Sequence, residues 1–240
     1  MTRQAILIGA PNVTPHLPGV VQDLKDIKSF LLSNSGGAWR EDEIVTLTDP
    51  SLKSVETYIQ AAQLKDYVFI TCSGHGEHQI GKEIDQTFMH LNKNETISIS
   101  KINPKNKRHL VVVDVCRGIV KVEERFKTFI ESSMFNRTYD SFVDYRKVFD
   151  HAVMQCTEGR IVVYSCDINQ SAGEDRKGGI FTQQLLNTSK NFKRNGGSYA
   201  IVDINQAFEV AKKETYDKNA PQSAVMYAGR RRDFFPFSIV

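Results

Sequence analysis

Two glycine-rich segments of this 240-residue sequence contain side chains suited to nucleophilic catalysis. The segment SGHG (73–76) ends one apolar run, and DVCRG (114–118) ends the next. The thiolate is the nucleophilic form of cysteine, and a nearby imidazole can generate it or protonate a leaving amine. The two segments therefore predict a catalytic pair made of His75 and Cys116.

The main chain around this pair also suits catalysis. Glycine lets a substrate backbone approach closely and leaves N–H groups available to stabilise a tetrahedral oxyanion. We expect the N–H groups of Gly76 and Cys116 to be these donors. The alternative is that Cys116 is an inert buried thiol, as many cysteines in strands are. The position of His75 after the preceding apolar run favours the catalytic interpretation.

Apolar runs alternate with segments of helical period along most of the chain. The spacing predicts helices over about 17–37 and 51–63. Strands are predicted at 5–10, 43–49, 67–76, 109–118, 160–167 and 223–229. Several of these runs are apolar on both faces, which is typical of a largely parallel sheet covered by helices on both sides. The sequence thus predicts an α/β fold with six strands in its sheet.

The third and fourth predicted strands carry the two candidate catalytic residues at their carboxyl ends. Successive strands in such sheets usually lie side by side, and functional sites gather beyond the carboxyl ends of parallel strands. We therefore expect His75 and Cys116 to lie within several ångströms of each other.

Two segments interrupt the alternation of strands and helices. Residues 77–105 are predicted to form a polar hairpin followed by a short helix. Residues 119–150 are rich in charged and aromatic residues and are predicted to be an insertion with some helix. The chain is otherwise interpreted as a single domain over 1–240.

Composition excludes several classes of partner and location. The net charge of +3 is too small to indicate a nucleic-acid partner, and the run Arg230–Arg232 is more typical of a solvated turn. The start of the chain lacks the features of a signal peptide, and no apolar run is long enough to span a membrane. The four cysteines have no disulfide-framework spacing, which favours reduced thiols and a cytoplasmic protein.

The motifs resemble those of the caspase-like cysteine peptidases, a superfamily of caspases, metacaspases and paracaspases. SGHG and DVCRG appear in the family's order, and further similarity covers LPGVVQD after the first strand, SCDINQSAGED with GGIFTQQLL after the fifth, and the closing RDFFPFSIV. Asp114 stands where caspases carry glutamine, which is similar to metacaspases and bacterial caspase-like proteins. The resemblance implies a three-layer sandwich, peptide-bond hydrolysis by a His75–Cys116 dyad, and a protein or peptide substrate.

The resemblance also implies a binding pocket for the side chain before the scissile bond. The matching positions are Asp23, Ser73 and Asp114. Two carboxylates in a partly desolvated pocket repel each other unless a cation joins them, so we expect arginine to be preferred over lysine and aspartate to be rejected. Two alternatives stay open: Asp23 lies on a solvated helix face, or Arg117 pairs with Asp114 and fills the pocket.

The loop after the fifth predicted strand is implied to shape the substrate cleft. Asp167, Gln170 and Glu174 are the residues that the resemblance places there, outside the chemistry itself. The alternative is an ordinary polar loop beside a helix cap.

Three alternatives to a peptidase are a zinc site, a nucleotide-binding protein and an adaptor. The run Cys72, His75 and His78 has ligand types that zinc accepts, but no second pair of ligands follows at zinc spacing, so no metal site is predicted. The segment LIGAPN lacks the residues of a phosphate-binding loop. A catalytically silent adaptor of the same fold is the main alternative function.

Regulation is predicted only in outline. A peptidase specific for basic residues could cut itself in the 119–150 insertion, which contains Arg125, Lys127, Arg137, Arg146 and Lys147. Many metacaspases need calcium, but Glu123 and Glu124 are the nearest approach to an acidic cluster, so no cofactor is expected. The activating signal is expected to be a partner protein, self-cleavage or a ligand.

Overall fold

A computed structural model describes residues 1–121, 144–190, 192 and 199–240. The strands of these residues are β1 (Arg3–Ala10), β2 (Ile44–Thr48), β3 (Tyr67–Gly74), β4 (Gly76–Ile80), β5 (Asp85–His90), β6 (Thr96–Ser98), β7 (Arg108–Val115), β8 (Ile119–Lys121), β9 (Gly159–Tyr164), β10 (Glu174–Asp175), β11 (Gly178–Gly179), β12 (Ile201–Asp203), β13 (Val225–Tyr227) and β14 (Pro236–Ile239). The α-helices are α1 (Gly19–Leu32), α2 (Leu52–Ala62), α3 (Tyr145–Gln155), α4 (Ile180–Asn187) and α5 (Ile204–Asn219). Short 3₁₀ helices occur at Glu41–Glu43, Ile99–Lys101 and Thr188–Lys190.

The central sheet has six strands in the order β13-β9-β7-β3-β1-β2. All neighbours in it are parallel except β13, which runs antiparallel to β9. The inner strands β1, β3 and β7 are buried along almost their whole length, because helices or a second sheet cover both faces. The prediction of a six-stranded, largely parallel α/β sheet is confirmed.

Alternate residues of the inner strands enter two separate hydrophobic cores. Ala5 and Leu7 of β1 pack with α1, α3, α4 and α5 on one face. Ile6 and Ile8 face the opposite side, where α2 and residues of the second sheet cover them. The period-two alternation of a strand therefore builds the three layers of the sandwich.

A second, four-stranded sheet lies beside the carboxyl edge of the central one. Its order is β6-β5-β4-β8, and β4 and β5 form the hairpin predicted within 77–105. The short helix predicted after this hairpin is the 3₁₀ helix at Ile99–Lys101. The third predicted strand is shorter than expected, because β3 ends at Gly74 and the chain enters β4 at Gly76. His75 therefore lies at the junction of the two sheets.

The predicted insertion at 119–150 is described only at its two ends. Residues 119–121 form β8, which pairs in parallel with β4, and α3 buries Tyr145, Phe149 and Val153. Both ends are thus integrated into the fold, while 122–143 lie outside the described residues. No helix in the described part of the chain is long and apolar enough to cross a membrane.

Candidate active site

The register of the central sheet brings His75 and Cys116 to one edge. Gly74 pairs with Val115 across β3 and β7, so the residue that follows each strand emerges at the same level. Both side chains line a single cavity of about 210 Å³ beyond the carboxyl ends of these strands. An imidazole and a thiol therefore line the same cavity.

The His75 ring is oriented by a main-chain carbonyl. Its Nε2 lies 2.5 Å from the carbonyl oxygen of Pro15, in the loop between β1 and α1. A carbonyl can only accept a hydrogen bond, so Nε2 carries the proton and Nδ1 has the free lone pair. Burial lowers the pKa of His75, which keeps the ring neutral and able to accept a proton.

The Cys116 thiol is partly buried and lies close to the loop after β9 that contains Ala172. Its Sγ lies 3.7 Å from the carbonyl oxygen of Ala172. Burial raises the pKa of Cys116, so the resting form is the protonated thiol. A thiol in this state needs a neighbouring base before it can act as a nucleophile, and His75 is a base of the required type.

Strand alternation directs the N–H of Gly76 toward the loop that carries Cys116. On one edge of β4, the His75 carbonyl accepts the His90 N–H at 3.0 Å; on the other edge, the His78 N–H donates to Gly118 at 3.0 Å. Because N–H groups two residues apart point to the same edge, the Gly76 N–H points with that of His78. This direction is compatible with an oxyanion donor near Cys116.

Two buried carboxylates lie at the floor of the cavity. Asp23 of α1 accepts hydrogen bonds from the Ser73 hydroxyl at 2.5 Å and from the Gly179 N–H at 2.9 Å. Asp114 of β7 accepts both the hydroxyl of Thr182, at 2.6 Å, and its N–H, at 3.1 Å. Asp23 is only 2% exposed, so it does not lie on a solvated helix face.

Burial and the charges of neighbouring carboxylates raise the pKa values of these acids. Burial, and then the charge of Asp114, raise the pKa of Asp23 well above its ordinary range. Burial also raises the pKa of Asp114. Glu174, which lines the same cavity, has its pKa raised to about 7 by burial and by the charges of Asp114 and Asp175. A cation in the cavity would relieve this mutual repulsion.

Arg117 does not pair with Asp114, although it follows the cavity-lining Cys116 directly. Its guanidinium donates to Thr87 at 3.0 Å, and lies 4.1 Å from the centre of the Tyr164 ring. The nearest charge partner is Asp167, at 3.8 Å. The alternative in which Arg117 fills the pocket is therefore wrong, and the cavity stays open above its acidic floor.

The predicted cleft residues after β9 separate into two groups. Glu174 lines the cavity, whereas Asp167 and Gln170 are not among its lining residues. The Gln170 carbonyl accepts the Arg117 N–H at 2.9 Å, and its side chain accepts the Ser223 N–H at 2.8 Å. Asp167 and Gln170 therefore hold the loop that follows Cys116.

The residues considered for zinc do not converge on a metal. Cys72 is buried within β3, and His78 lies between Asp85, at 2.7 Å, and Thr87, at 3.1 Å. Among the described residues no group of three or more histidine, cysteine or acidic side chains is arranged to hold a metal ion.

Comparison with known proteins places this architecture. The family profile for the caspase domain matches residues 2–235, which is nearly the whole chain. The chain belongs to the caspase-domain family of peptidases.

Individual relatives of this caspase-domain protein are distant. Metacaspase-1 of Eremothecium gossypii is 35% identical over 88 residues, an alignment that covers 31% of this chain and 19% of that protein. The match thus spans about a fifth of the length of the curated relative. The crystal structure of caspase-1 from Spodoptera frugiperda superposes with a TM-score of 0.60 at 11% identity, over 95% of this chain and 86% of that one. This likeness shows the shared fold, and with the family match it confirms the predicted caspase-like sandwich.

Three groups that hold the cavity's side chains could not be found from residue types. The Pro15 carbonyl is a main-chain group that every residue possesses, so no sequence signal marks it. Thr182 and Gly179 are brought to the acidic floor by α4 and the turn before it. In the sequence, GGIFTQQLL contributes to the family resemblance but carries no signal for this contact.

Proposed function

We propose that this protein is a cysteine endopeptidase in which His75 and Cys116 act as a catalytic dyad. The observation that carries the proposal is the single cavity lined by both side chains together with Asp23 and Asp114. The family supports peptide-bond hydrolysis, and the cavity supplies a nucleophile, a base and an acidic subsite in one place. The adaptor alternative has no comparable observation in its favour.

The reaction proceeds through a thioester. His75 Nδ1 takes the Cys116 thiol proton while Sγ forms a bond to the scissile carbonyl carbon. The N–H groups of Gly76 and Cys116 donate to the resulting oxyanion. The carbon–nitrogen bond then breaks as Nδ1 gives its proton to the leaving amine. A water molecule gives a proton to Nδ1 as its oxygen bonds to the thioester carbon; the carbon–sulfur bond then breaks, the acid leaves, and Nδ1 returns the proton to Sγ.

The acidic floor favours a substrate with a basic residue before the scissile bond. A guanidinium can bridge Asp23 and Asp114, and each charge-assisted hydrogen bond contributes about 1.5–3 kcal/mol. Arginine is preferred over lysine because its planar fork matches two carboxylates, whereas the lysine ammonium is a point charge. An aspartate side chain would add a third negative charge and is rejected.

Cleavage of a peptide panel tests both parts of the proposal. Peptides that differ only at the residue before the scissile bond should be cut in the order Arg, Lys, with Gln far lower and Asp uncut. The Cys116→Ala variant should lose activity by about three orders of magnitude or more. The Asp114→Asn variant should lose about 10- to 100-fold in kcat/KM for the arginyl peptide.

Matched controls separate the possible failures. Asp217→Asn alters an exposed carboxylate on α5 that pairs with Lys213 and should leave kcat/KM unchanged. Cleavage that ignores the basic residue would remove the specificity and leave the peptidase. No cleavage of any peptide, with an unreactive Cys116 toward an arginyl electrophile, would favour the adaptor.

We propose that self-processing in the 119–150 segment occurs at fewer positions than the five candidate basic residues of the sequence. Arg146 and Lys147 lie in the first turn of α3, and Arg146 pairs with Glu43. Because peptidases bind extended backbone, these two are poor sites, and Arg125, Lys127 and Arg137 remain, all outside the described residues. Incubating the pure protein should give two fragments that Cys116→Ala never yields, and mass spectrometry would locate the cut.

The need for an activator is tested by the same preparation. We propose that no cofactor is required, so activity should be equal with calcium and with a chelator. If the isolated chain is inactive in both, a partner protein or another ligand becomes the remaining source of activation.

A further inference from the structure

A second histidine lies directly across the hairpin from His75. The pairing of Gly76 with Met89 places His75 opposite His90 one step further along the β4–β5 ladder. The His90 N–H donates to the His75 carbonyl at 3.0 Å, which confirms that the two residues face each other. Residues opposite each other in an antiparallel pair project their side chains to the same face. The two imidazoles therefore share one face of the hairpin.

An acidic residue on the same face pairs with this second histidine. Glu77 lies two residues after His75 and so projects on the same side of β4. Its Oε2 is 3.6 Å from Nε2 of His90, and both side chains are only 18% exposed. When His90 carries a proton, the two side chains form a charge pair that is largely withdrawn from water and weakly screened, so it acts on neighbouring ionisable groups.

We propose that His90 and Glu77 form a charge pair that sets the protonation equilibrium of the catalytic imidazole. The inference rests on the proposed role of His75 and adds two positioning residues that do not line the cavity. A positive charge on His90 opposes protonation of His75, and the carboxylate of Glu77 offsets that field. The balance between them determines the lowest pH at which His75 is still neutral.

The other ionisable groups around His75 have known positions. Cys116 follows β7, and Asp23, Asp114 and Glu174 line the cavity from α1, β7 and the loop after β9. His16 adjoins Pro15, whose carbonyl holds Nε2 of His75. These groups act on His75 in all variants alike, so a change confined to His90 or Glu77 isolates the pair.

Two substitutions separate an electrostatic role from a structural one by the sign of their effects. His90→Gln removes the positive charge that opposes protonation of His75 and keeps the Glu77 carboxylate, so the pKa of His75 should rise by about half a unit or more. Glu77→Gln removes the negative charge, so that pKa should fall by a similar amount. A merely structural role would not produce shifts of opposite sign.

The direct measurement is an NMR pH titration of the His75 ring in the Cys116→Ala protein, which needs no peptidase activity. His151→Gln, which changes an exposed histidine on α3 by the same chemistry, is the matched control and should cause no shift. In the active enzyme, the acid limb of kcat/KM for an arginyl peptide should move to higher pH in His90→Gln and to lower pH in Glu77→Gln.

The outcomes distinguish this inference from the proposed function. Equal or same-direction shifts in the two variants would overturn the charge pair even if peptides are cut. Opposite NMR shifts in a protein that cuts no peptide would uphold the pair and overturn the peptidase. If a single variant fails to fold, the double variant His90→Gln/Glu77→Gln, with both charges removed, should titrate near the wild-type value.

Discussion

At the scale of single residues, burial determines the protonation states of the ionisable groups that line the cavity before substrate binds. Burial raises the pKa of Cys116 and lowers the pKa of His75, so both are neutral before substrate arrives. Burial also raises the pKa of Asp23 and of Asp114, so it is unfavourable for both carboxylates to be ionised at the same time. A bound cation therefore favours the ionised form of these carboxylates, and substrate binding is linked to pH.

Glu174 is the residue whose titration should make this linkage visible. Its pKa of about 7 means that it becomes negative as pH rises through neutrality. An arginyl peptide should then bind better at pH 8 than at pH 6, by a KM ratio of roughly 5 for about 1 kcal/mol of added attraction. In Glu174→Gln the KM should lose this dependence, as steady-state kinetics at several pH values would show.

Glu158→Gln is a suitable control for that substitution, because Glu158 is an exposed partner of Lys107 far from the cavity. It should retain the wild-type change of KM with pH. If the Glu174→Gln protein also retains it, the dependence arises from Asp23 or Asp114 instead.

At this scale the sequence indicates which residue types could act together, but not the direction in which each side chain points. The types of His75 and Cys116 and their places after apolar runs predict that they lie close together, and both line one cavity in the structure. Arg117 gave no sign of pointing away from Asp114, because a residue just beyond a strand end can turn to either face. That direction depends on Tyr164 and Thr87, which are distant in sequence and become neighbours only in the fold.

At the scale of elements, Arg3 joins three parts of the chain beneath the sheet. Its guanidinium is fully buried, donates to Asp150 of α3 at 2.9 Å, and contacts Glu43 at 3.3 Å. It also donates to the carbonyls of Gly37 and Ala38, each at 2.9 Å. This one side chain therefore ties β1 to α3 and to the loop before β2.

Replacing Arg3 with methionine should destabilise the protein strongly. The change removes the Arg3 donor from the Gly37 carbonyl and the shortest ion pair from Asp150, which keeps only the N-terminal ammonium at 3.8 Å; breaking a buried pair in this way typically costs about 3–5 kcal/mol. Urea unfolding would measure the loss, with the single tryptophan as reporter, since Trp39 lies 4.5 Å below the guanidinium. The more exposed Arg146→Met should cost only about 1 kcal/mol, and equal losses in both variants would contradict the special role of Arg3.

The strands differ in how clearly the sequence pattern predicts them. β1, β3 and β7 are apolar on both faces, so a buried parallel strand was the natural interpretation. β6 and β8 have only three residues each and carry no periodic pattern of their own. They exist because β4 and β5 offer open edges to pair with, and such pairing depends on contacts that are remote in sequence.

At the scale of the whole molecule, one strand connects the site to the stability of the fold. β7 presents Cys116 at its carboxyl end and carries His109 near its amino end. His109 is only 4% exposed, and both of its ring nitrogens are withdrawn from water. Burial, and then the charge of Arg160, lower the pKa of His109 to about 4.

This buried imidazole should make the protein sensitive to moderate acid. An unfolded histidine titrates near 6.5, so between about pH 6.5 and pH 4 the unfolded chain binds up to one proton more than the folded chain. The free energy of unfolding should therefore fall as pH drops from about 6.5 to 4, by roughly 3 kcal/mol in total, and the contribution should level off below pH 4. Stability above pH 6.5 should be independent of this group.

His109→Leu removes the ionisable imidazole and places an apolar side chain at the same position of β7. Urea unfolding at pH 7, 6, 5 and 4 should show a shallower loss of stability in this variant than in wild type, with the difference growing steadily toward pH 4. His151→Leu, on an exposed position of α3, should keep the wild-type slope. Parallel curves for His109→Leu and wild type would mean that the folded chain accommodates the imidazolium, and the acid sensitivity would then have to come from elsewhere in the sheet.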